Sequence, residues 1–261
     1  MPSKIAPRLH RAARRLRREL APLRFRSPVT HVYNPLEYAS AAHRRYVDAY
    51  GASRKRVVFL GMNPGPFGMV QTGVPFGAIP NVRDWLGIRT RIERPEREHP
   101  KRPVLGFDCP RIEVSGARLW GAIESAYGEP DRFFRHSFIA NYCPLAFLEE
   151  SGRNRIPEKL PASERGPLFD ACDRHLRSVV RALEPEWVVG IGKFAERRAR
   201  EVLGDAVRIG VVLHPSPANP RAHRDWGGTV RRELREQGVC AALEARTGDP
   251  PRRRKPRRAP G

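Results

Sequence analysis

A polar side chain follows each of four short apolar segments of the sequence, and these side chains define the chemistry that the chain can offer. They are, in chain order, Asn63, Asn141, Lys193 and His214. An asparagine amide cannot take up a proton, but it can orient a water molecule or read the hydrogen-bonding edge of a base. A histidine can stabilise developing charge or exchange protons. The set predicts attack by a positioned water, with neither a metal ion nor a covalent intermediate.

Other catalytic motifs are absent from the sequence. There is no Walker lysine motif, no G-x-S-x-G elbow and no H-E-x-x-H helix. The cysteines at positions 109, 143, 172 and 240 form no C-x-x-C pair, so zinc and iron–sulfur sites have no support and no cofactor is predicted. We expect reduced thiols in a cytosolic protein.

The loop that carries Asn63 is rich in residues that either restrict or free the backbone. Residues 61–77 include eight glycines and prolines, which indicates a rigid loop whose backbone can approach a ligand closely. The segment GIGKFA at 190–195 matches G-x-G-x-x-A, a weak form of the dinucleotide-binding fingerprint, and lacks the acidic residue expected further along. We interpret its glycines as sites of close helix–sheet packing and Lys193 as a phosphate contact.

The elements that must position these side chains follow from the hydrophobic pattern. Four apolar runs predict buried strands, at 57–60, 137–140, 187–191 and 207–213. Helical patterns alternate with them, near 115–127, 164–183, 193–203 and 227–245. This alternation predicts a single α/β domain whose central, mainly parallel four-stranded sheet is flanked by helices. Because the carboxyl ends of parallel strands share one edge, the polar loops should meet there.

The segments outside this pattern carry most of the charge. The chain has 49 Lys and Arg against 28 Asp and Glu, a formal charge of +21, and residues 1–26 and 246–261 hold +8 and +6 of it. This favours a polyanionic partner, nucleic acid or an anionic surface, with arginine use in a GC-rich genome as the alternative. Residues 5–23 predict a basic amphipathic helix, which either contacts DNA or a membrane or docks on its own domain. Segments 89–110 and 151–167 are predicted to be surface loops.

Six segments resemble the single-strand-selective monofunctional uracil-DNA glycosylases. They are GMNPGPFGMVQTGVPFG at 61–77, HPSPANP at 214–220, YNPLEY at 33–38, VRDWLG at 82–87, NYCPL at 141–145 and GIGKFAE at 190–196. The first is long and specific. The chain is identified as a bacterial member of this family, with a uracil-DNA glycosylase-like catalytic domain at 16–246. A basic N-terminal extension at 1–15 and a disordered basic tail at 247–261 are expected outside it.

The resemblance implies an enzyme that flips a damaged base out of DNA and hydrolyses its N-glycosidic bond, without cutting the backbone. Asn63 would hold the attacking water, and His214 would donate a hydrogen bond to O2 of the leaving uracil. The base would be held by Met62, Gly65, Phe76 and Asn141. In this pocket Phe76 would stack on the base, and Asn141 would form hydrogen bonds with its Watson–Crick edge. The stretch 65–69 would select among bases by the substituent at C5.

DNA contacts beyond the base are also implied. The expected contact residues are Arg153, Arg155, Lys159, Lys193, Ser216, Asn219, Arg221 and Arg224. Family members often have an arginine at the position of Ala218, within the wedge that enters the duplex beside the flipped base. The wedge role is therefore left open among Asn219, Arg221, His223 and Arg224. Duplex substrates are expected to suffer relative to single strands.

The partner implied by the resemblance is single- or double-stranded DNA that contains uracil or an oxidised pyrimidine such as 5-hydroxymethyluracil. The protein is expected to be a monomer in the cytoplasm, associated with a bacterial nucleoid and not with a membrane. Three alternatives stay open: a superfamily relative that prefers hypoxanthine or xanthine, a nucleotide-binding α/β protein that uses residues 190–195, and a DNA-binding protein that acts through charge alone. The last of these has no use for Asn63 or His214.

Overall fold

A four-stranded sheet with the order β3-β2-β6-β7 forms the centre of the fold. Its strands are β2 (Val57–Gly61), β3 (Ser137–Asn141), β6 (Trp187–Ile191) and β7 (Arg208–Val212). All three neighbouring pairs are parallel, so the predicted sheet is confirmed and the four carboxyl ends lie along one edge. Every residue of β2 and β6 is buried, as expected for central strands covered on both faces. This computed structural model describes residues 3–222 and 224–244.

Helices cover both faces of this sheet. They are α1 (Ile5–Leu20), α2 (Pro35–Tyr38), α3 (Ser40–Tyr50), α4 (Met69–Thr72), α5 (Val114–Tyr127), α6 (Pro130–Phe134), α7 (Ala162–Leu183), α8 (Lys193–Leu203), α9 (Trp226–Glu236) and α10 (Cys240–Leu243). The single helix predicted at 227–245 is wrong, because Gly238 takes a left-handed conformation (φ 77°) and divides the segment into two helices.

A second, antiparallel sheet lies beside the first and was not predicted. It has the order β1-β4-β5, with β1 (Val29–Tyr33), β4 (Ala146–Glu149) and β5 (Asn154–Arg155). The Asn154 amide accepts from the backbone N–H of Phe147 and donates to the carbonyl of Pro64, at 3.1 and 2.8 Å. The small sheet is thereby tied to the loop that carries Asn63.

The segment 89–110 is more than a surface loop, because its polar groups are bonded into the interior. His99 is 1 % exposed, accepts from the Lys101 N–H through Nδ1, and contacts the Glu149 carbonyl through Nε2. The buried Gln71 amide donates to the carbonyls of Pro66 and Pro103, and its oxygen accepts from the N–H groups of residues 105 and 106. All four hydrogen-bonding positions of this side chain are thus satisfied, three by the segment 89–110 and one within the loop 61–77.

Helix α1 docks on its own domain, which was one of the two readings of its amphipathic pattern. Leu9, Leu16 and Leu20 are buried in the main core, and the helix packs chiefly on α7. The expected boundary after residue 15 falls inside this helix, with buried residues on both sides of it. The expected tail at 247–261 lies outside the described residues.

Replacing Leu16 with alanine should lower the free energy of unfolding by about 2–5 kcal/mol, because it removes a buried leucine (2 % exposed) and leaves a cavity. Urea denaturation measures the change. The matched control is Arg18→Ala, an exposed position on the same helix, which should stay within about 0.5 kcal/mol. If Leu16→Ala unfolds at the wild-type midpoint with an unchanged slope, the helix is not part of the folded core.

Candidate active site

The loops that follow β2 and β3 are joined directly to each other at the carboxyl edge of the sheet. Gly61 and Asn141 are register partners at the ends of their strands. Beyond them, the N–H of Tyr142 donates to the carbonyl of Gly61, and the N–H of Cys143 donates to the carbonyl of Met62, each at 2.9 Å. The chain around Met62 is therefore fixed against the loop that carries Asn141.

Two of the predicted base-pocket side chains, Asn141 and Phe76, converge at Gly61, and the predicted catalytic His214 lies near one of them. A Cβ atom at Gly61 would lie 2.3 Å from Oδ1 of Asn141 and 2.5 Å from the ring of Phe76, so only glycine fits here. The Phe76 ring lies 6.1 Å from the His214 ring, centroid to centroid, at an interplanar angle of 45°. The structure thus brings together side chains that are separated by up to 138 positions in the sequence.

The backbone of Phe76 is held in an uncommon conformation. Its φ is 55°, which side chains other than glycine rarely adopt. Its carbonyl oxygen packs so closely on α5 that a Cβ atom at Gly116 would lie 2.0 Å away. Strained residues of this kind persist only where the surroundings determine them, and they concentrate at functional sites.

Both asparagine amides have a fixed orientation. The Asn63 amide nitrogen donates to the carbonyl of Leu145 at 3.2 Å, and the Asn141 amide nitrogen donates to the sulfur of Met69 at 3.3 Å. Because a carbonyl and a thioether can accept but not donate, each amide presents its nitrogen to that partner. The Asn63 oxygen can therefore accept a hydrogen bond from another group, and the Asn141 oxygen lies beside Gly61.

The imidazole of His214 also has a fixed hydrogen-bonding role. Its Nδ1 accepts from the backbone N–H of Ser216 at 3.1 Å, and burial lowers the pKa of the ring. A neutral ring that accepts at Nδ1 carries its proton on Nε2. Gly192 makes room for this side chain, since a Cβ atom there would lie 3.1 Å from Cβ of His214.

Sequence reasoning missed two residues that hold these loops. The guanidinium of Arg118, on α5, donates to the carbonyls of Pro215 and Ser216 at 3.2 and 3.3 Å, and so supports the turn after His214. The carboxylate of Glu113 accepts from the N–H of Phe67 at 3.3 Å, and a Cβ atom at Gly65 would lie 2.2 Å from it. In the sequence, Glu113 stands just before the helix predicted near 115–127, and nothing in that position signals support of a distant loop.

The predicted DNA-contact residues differ in their exposure and in their hydrogen bonds within the protein. Arg153, Lys159 and Arg224 are exposed. Lys193 is 81 % exposed and pairs with Glu196 at 2.9 Å. The Ser216 hydroxyl accepts from the N–H of Ala218, and the N–H of Asn219 donates to the carbonyl of Ser216, so both residues build the turn.

Arg155 is engaged within the protein. Its guanidinium pairs with Glu149 at 2.9 Å and donates to the carbonyl of Lys159 at 2.8 Å. In this arrangement Arg155 holds its own loop, and direct contact with DNA stays a prediction. The side chain of Arg221 and all of His223 lie outside what the structure describes.

The glycines of the segment 190–195 serve packing, as interpreted from the sequence. A Cβ atom at Gly190 would lie 2.3 Å from the backbone nitrogen of Glu196 at the start of α8. Over residues 3–222 and 224–244, no group of three or more His, Cys, Asp or Glu side chains could hold a metal ion. None of the helices in that same part of the chain is long and apolar enough to cross a membrane.

Comparison with known proteins gives the class first. Residues 49–234 match the family model of the uracil DNA glycosylase superfamily, and the chain belongs to that superfamily. Two curated relatives, from Rattus norvegicus and Mus musculus, are each 50% identical to it over 232 residues. These residues are 88% of this chain, 84% of the rat protein and 83% of the mouse protein. Both are single-strand selective monofunctional uracil-DNA glycosylases, and the chain belongs to that family.

A solved structure with low sequence identity has the same fold. The crystal structure of Pedobacter heparinus SMUG2 superposes with a TM-score of 0.59 at 16% identity. The match covers 89% of this chain and 97% of that chain. The fold expected from the sequence is therefore confirmed.

Replacing Gly61 with alanine should lower single-turnover base excision roughly 10²-fold, because the new methyl group displaces Asn141 or Phe76 by a fraction of an ångström or more. Excision from a uracil oligonucleotide measures the effect. The matched control is Gly121→Ala on α5, where a Cβ atom meets nothing within 4 Å. Wild-type excision by Gly61→Ala would show that this close approach is not required.

Proposed function

We propose that the protein removes uracil from DNA by hydrolysing the N-glycosidic bond, with Asn63 positioning the water and His214 stabilising the leaving base. Its family makes it a monofunctional uracil-DNA glycosylase, a hydrolase of base excision repair that leaves an abasic site. The observation that carries the residue assignment is the hydrogen bond from the Ser216 N–H to Nδ1 of His214. That bond leaves Nε2–H as the donor, which is the group that a leaving uracil requires.

The leaving group explains the need for this donor. When the bond from C1′ to N1 breaks, its electron pair departs with the base, and negative charge accumulates on the uracil oxygens. A preorganised N–H aimed at O2 stabilises this charge, and such a donor typically contributes roughly 10²–10³ in rate. A neutral imidazole can supply it without first gaining a proton, in keeping with the burial that lowers the pKa of His214.

The water is the second requirement. With its amide nitrogen held by the Leu145 carbonyl, Asn63 offers its oxygen to accept a hydrogen bond from a water at the sugar. The oxygen of that water bonds to C1′ as the base departs. Its proton passes to the uracil anion or to solvent, because an amide cannot accept it. Asn63 is therefore a positioning group and not a general base.

Selection of uracil over cytosine rests on Asn141. Its oxygen accepts from N3–H of uracil, and its second amide hydrogen donates to O4, while the first is held by Met69. Cytosine presents an acceptor at N3 and donors at N4, so it would leave buried groups mispaired at about 1–3 kcal/mol each. Phe76 offers its face for stacking of the flipped base.

Oxidised pyrimidines such as 5-hydroxymethyluracil are proposed as further substrates. The support is the stretch 65–69, where Gly65 carries no side chain and Glu113 holds the N–H of Phe67. A loop fixed in this way sets the space available to a substituent at C5.

A panel of single- and double-stranded oligonucleotides tests the proposal, with uracil, 5-hydroxymethyluracil, thymine, cytosine, hypoxanthine or xanthine at one position. Hot alkali reveals abasic sites, and the same samples without alkali report backbone cleavage. We expect alkali-dependent breaks at uracil and 5-hydroxymethyluracil and intact strands without alkali. Breaks at hypoxanthine or xanthine alone would overturn the assignment.

The variants Asn63→Ala and His214→Leu should each lower single-turnover excision of uracil at least roughly 10²-fold, with little change in DNA affinity. Each removes a group that acts on the reacting atoms and not on the fold. Matched controls are Asn81→Ala, whose amide bonds Glu124, and His136→Leu at the opposite edge of the sheet. An unchanged rate in either active-site variant refutes the role given to that residue.

The rate of excision should be flat above neutral pH and should fall in acid, with a midpoint below the ordinary histidine value of about 6.5. Protonated His214 would place an N–H on Nδ1 against the N–H of Ser216 and lose the arrangement that aims Nε2. A single-turnover pH series measures this. A rate that rises as the pH falls below 6.5 would show that the cation is the active form.

That series needs a folding control from circular dichroism at each pH. Burial lowers the pKa of both His43 and His175 to about 4, so the unfolded chain takes up these protons first as the pH falls. Their contribution to stability is present above the unfolded pKa of about 6.5 and is lost as the pH falls toward 4.

A further inference from the structure

A basic cleft lies between α1 and α3, on the side of the domain that carries β3. Its volume is about 210 Å³, and Arg14 and Arg17 from α1 line it together with Arg44 from α3. Ser40, the first residue of α3, also lines it. All three arginines are exposed. None of them has a role in the base pocket or in the loops that resemble DNA-contact segments of the family.

Among the described residues, the three arginines have no anionic partner, and their guanidinium groups make neither an ion pair nor a hydrogen bond. The carboxylates on the same two helices are occupied, because Glu19 pairs with Arg15 and Arg174, and Asp48 pairs with His10. Like charges that converge without a counter-charge repel each other, and an anion in the cleft would relieve that repulsion.

The cleft is close to the wall of the base pocket. Nδ1 of His43, which lines the cleft, lies 3.3 Å from the carbonyl of Gly73 in the loop 61–77. A small cavity of about 40 Å³ is lined by Met69, Pro75 and Asn141 and also by His43. His43 thus contributes both to the lining of the cleft and to a cavity that reaches residues proposed to hold the base.

We propose that this cleft binds backbone phosphates of the DNA strand that carries the lesion, a few nucleotides from the flipped base. Arginine suits this ligand, since its planar fork pairs with phosphate oxygens at any sequence. Nucleic acid is favoured over a membrane because His43 joins the lining of the cleft to the loop 61–77, which carries residues proposed to hold a nucleotide of the same strand. This inference rests on the proposed function for the position of the strand, but the charge at the cleft does not depend on it.

The test compares two triple variants that remove equal charge. The cleft variant removes the three positive charges that line the cleft and carries Arg14→Gln, Arg17→Gln and Arg44→Gln. The control carries Arg132→Gln, Arg135→Gln and Arg181→Gln, which are exposed arginines near the amino ends of β3 and β6, at the opposite edge of the sheet. Affinity for single-stranded oligonucleotides is measured across a salt series, with and without a central uracil, and binding to anionic lipid vesicles is measured in parallel.

We expect the cleft variant to bind at least roughly 10-fold more weakly at low salt. Its plot of log affinity against log salt should be flatter by about two units, because each phosphate that is no longer neutralised on a single strand contributes about 0.7. The control variant should stay near the wild-type line. When the strand is shortened one nucleotide at a time from either side of the uracil, the defect should vanish after loss of the one flank that reaches the cleft.

Several results would overturn the proposal. These are an unchanged salt slope in the cleft variant, an equal loss in the control variant, a defect that ignores which flank is removed, or lost binding to anionic vesicles with DNA binding intact. Uracil excision by the unsubstituted protein is scored separately with alkali. The salt dependence of binding to oligonucleotides without uracil does not depend on excision. The binding assay therefore tests the cleft, and the excision assay tests the glycosylase assignment.

Discussion

The site depends on the absence of a side chain at Gly61. The end of β2 is the point where the Asn141 amide and the Phe76 ring both approach the backbone, at distances that a methyl group would abolish. The same device recurs around it: Gly116 admits the carbonyl of Phe76 to α5, and Gly65 admits a carboxylate to the neighbouring loop. Because these glycines have no side chain, the groups around the proposed base site can pack unusually close to the backbone.

Three side chains of the pocket are each oriented by a partner that can only accept, or only donate, a hydrogen bond. A carbonyl accepts from Asn63, a thioether accepts from Asn141, and a backbone N–H donates to His214. Each fixes which atom of the side chain remains for its proposed contact with water or the base. Preorganisation of this kind costs little when the reaction occurs, because the groups need not reorient as charge develops on the base.

The pocket itself is built mainly of neutral groups, and the positive charge lies around it. The proposed chemistry on uracil uses a neutral donor and a neutral amide, while attraction to the DNA strand uses charge that salt can screen. Separating the two keeps phosphate affinity from perturbing the protonation of His214, whose pKa is lowered by burial and not by a neighbouring cation. The arginines of α1 and α3 and the exposed residues Arg153 and Lys159 belong to that outer layer.

The sequence by itself determined the parallel sheet and the polar residues at its carboxyl edge. Its apolar runs differ from the observed strands by one residue or less at each end, because the central strands are buried on both faces and read as continuous hydrophobic segments. The motif at 61–77 and the segment HPSP identified Asn63 and His214 through resemblance. Asn141 could be placed beside them because strand order brings carboxyl ends together.

Only the tertiary structure decided what lies far apart in the chain but close in space. Strand β1 pairs with β4 more than a hundred positions away, and no local pattern predicts such a partner. Glu113 stands just before α5 in the chain yet supports the loop at Gly65, and Arg155, expected to contact DNA, pairs with Glu149. The tautomer of His214 depends on a single N–H in a turn. These features follow from distances between side chains and backbone in the folded state, and residue types and spacing alone do not encode those distances.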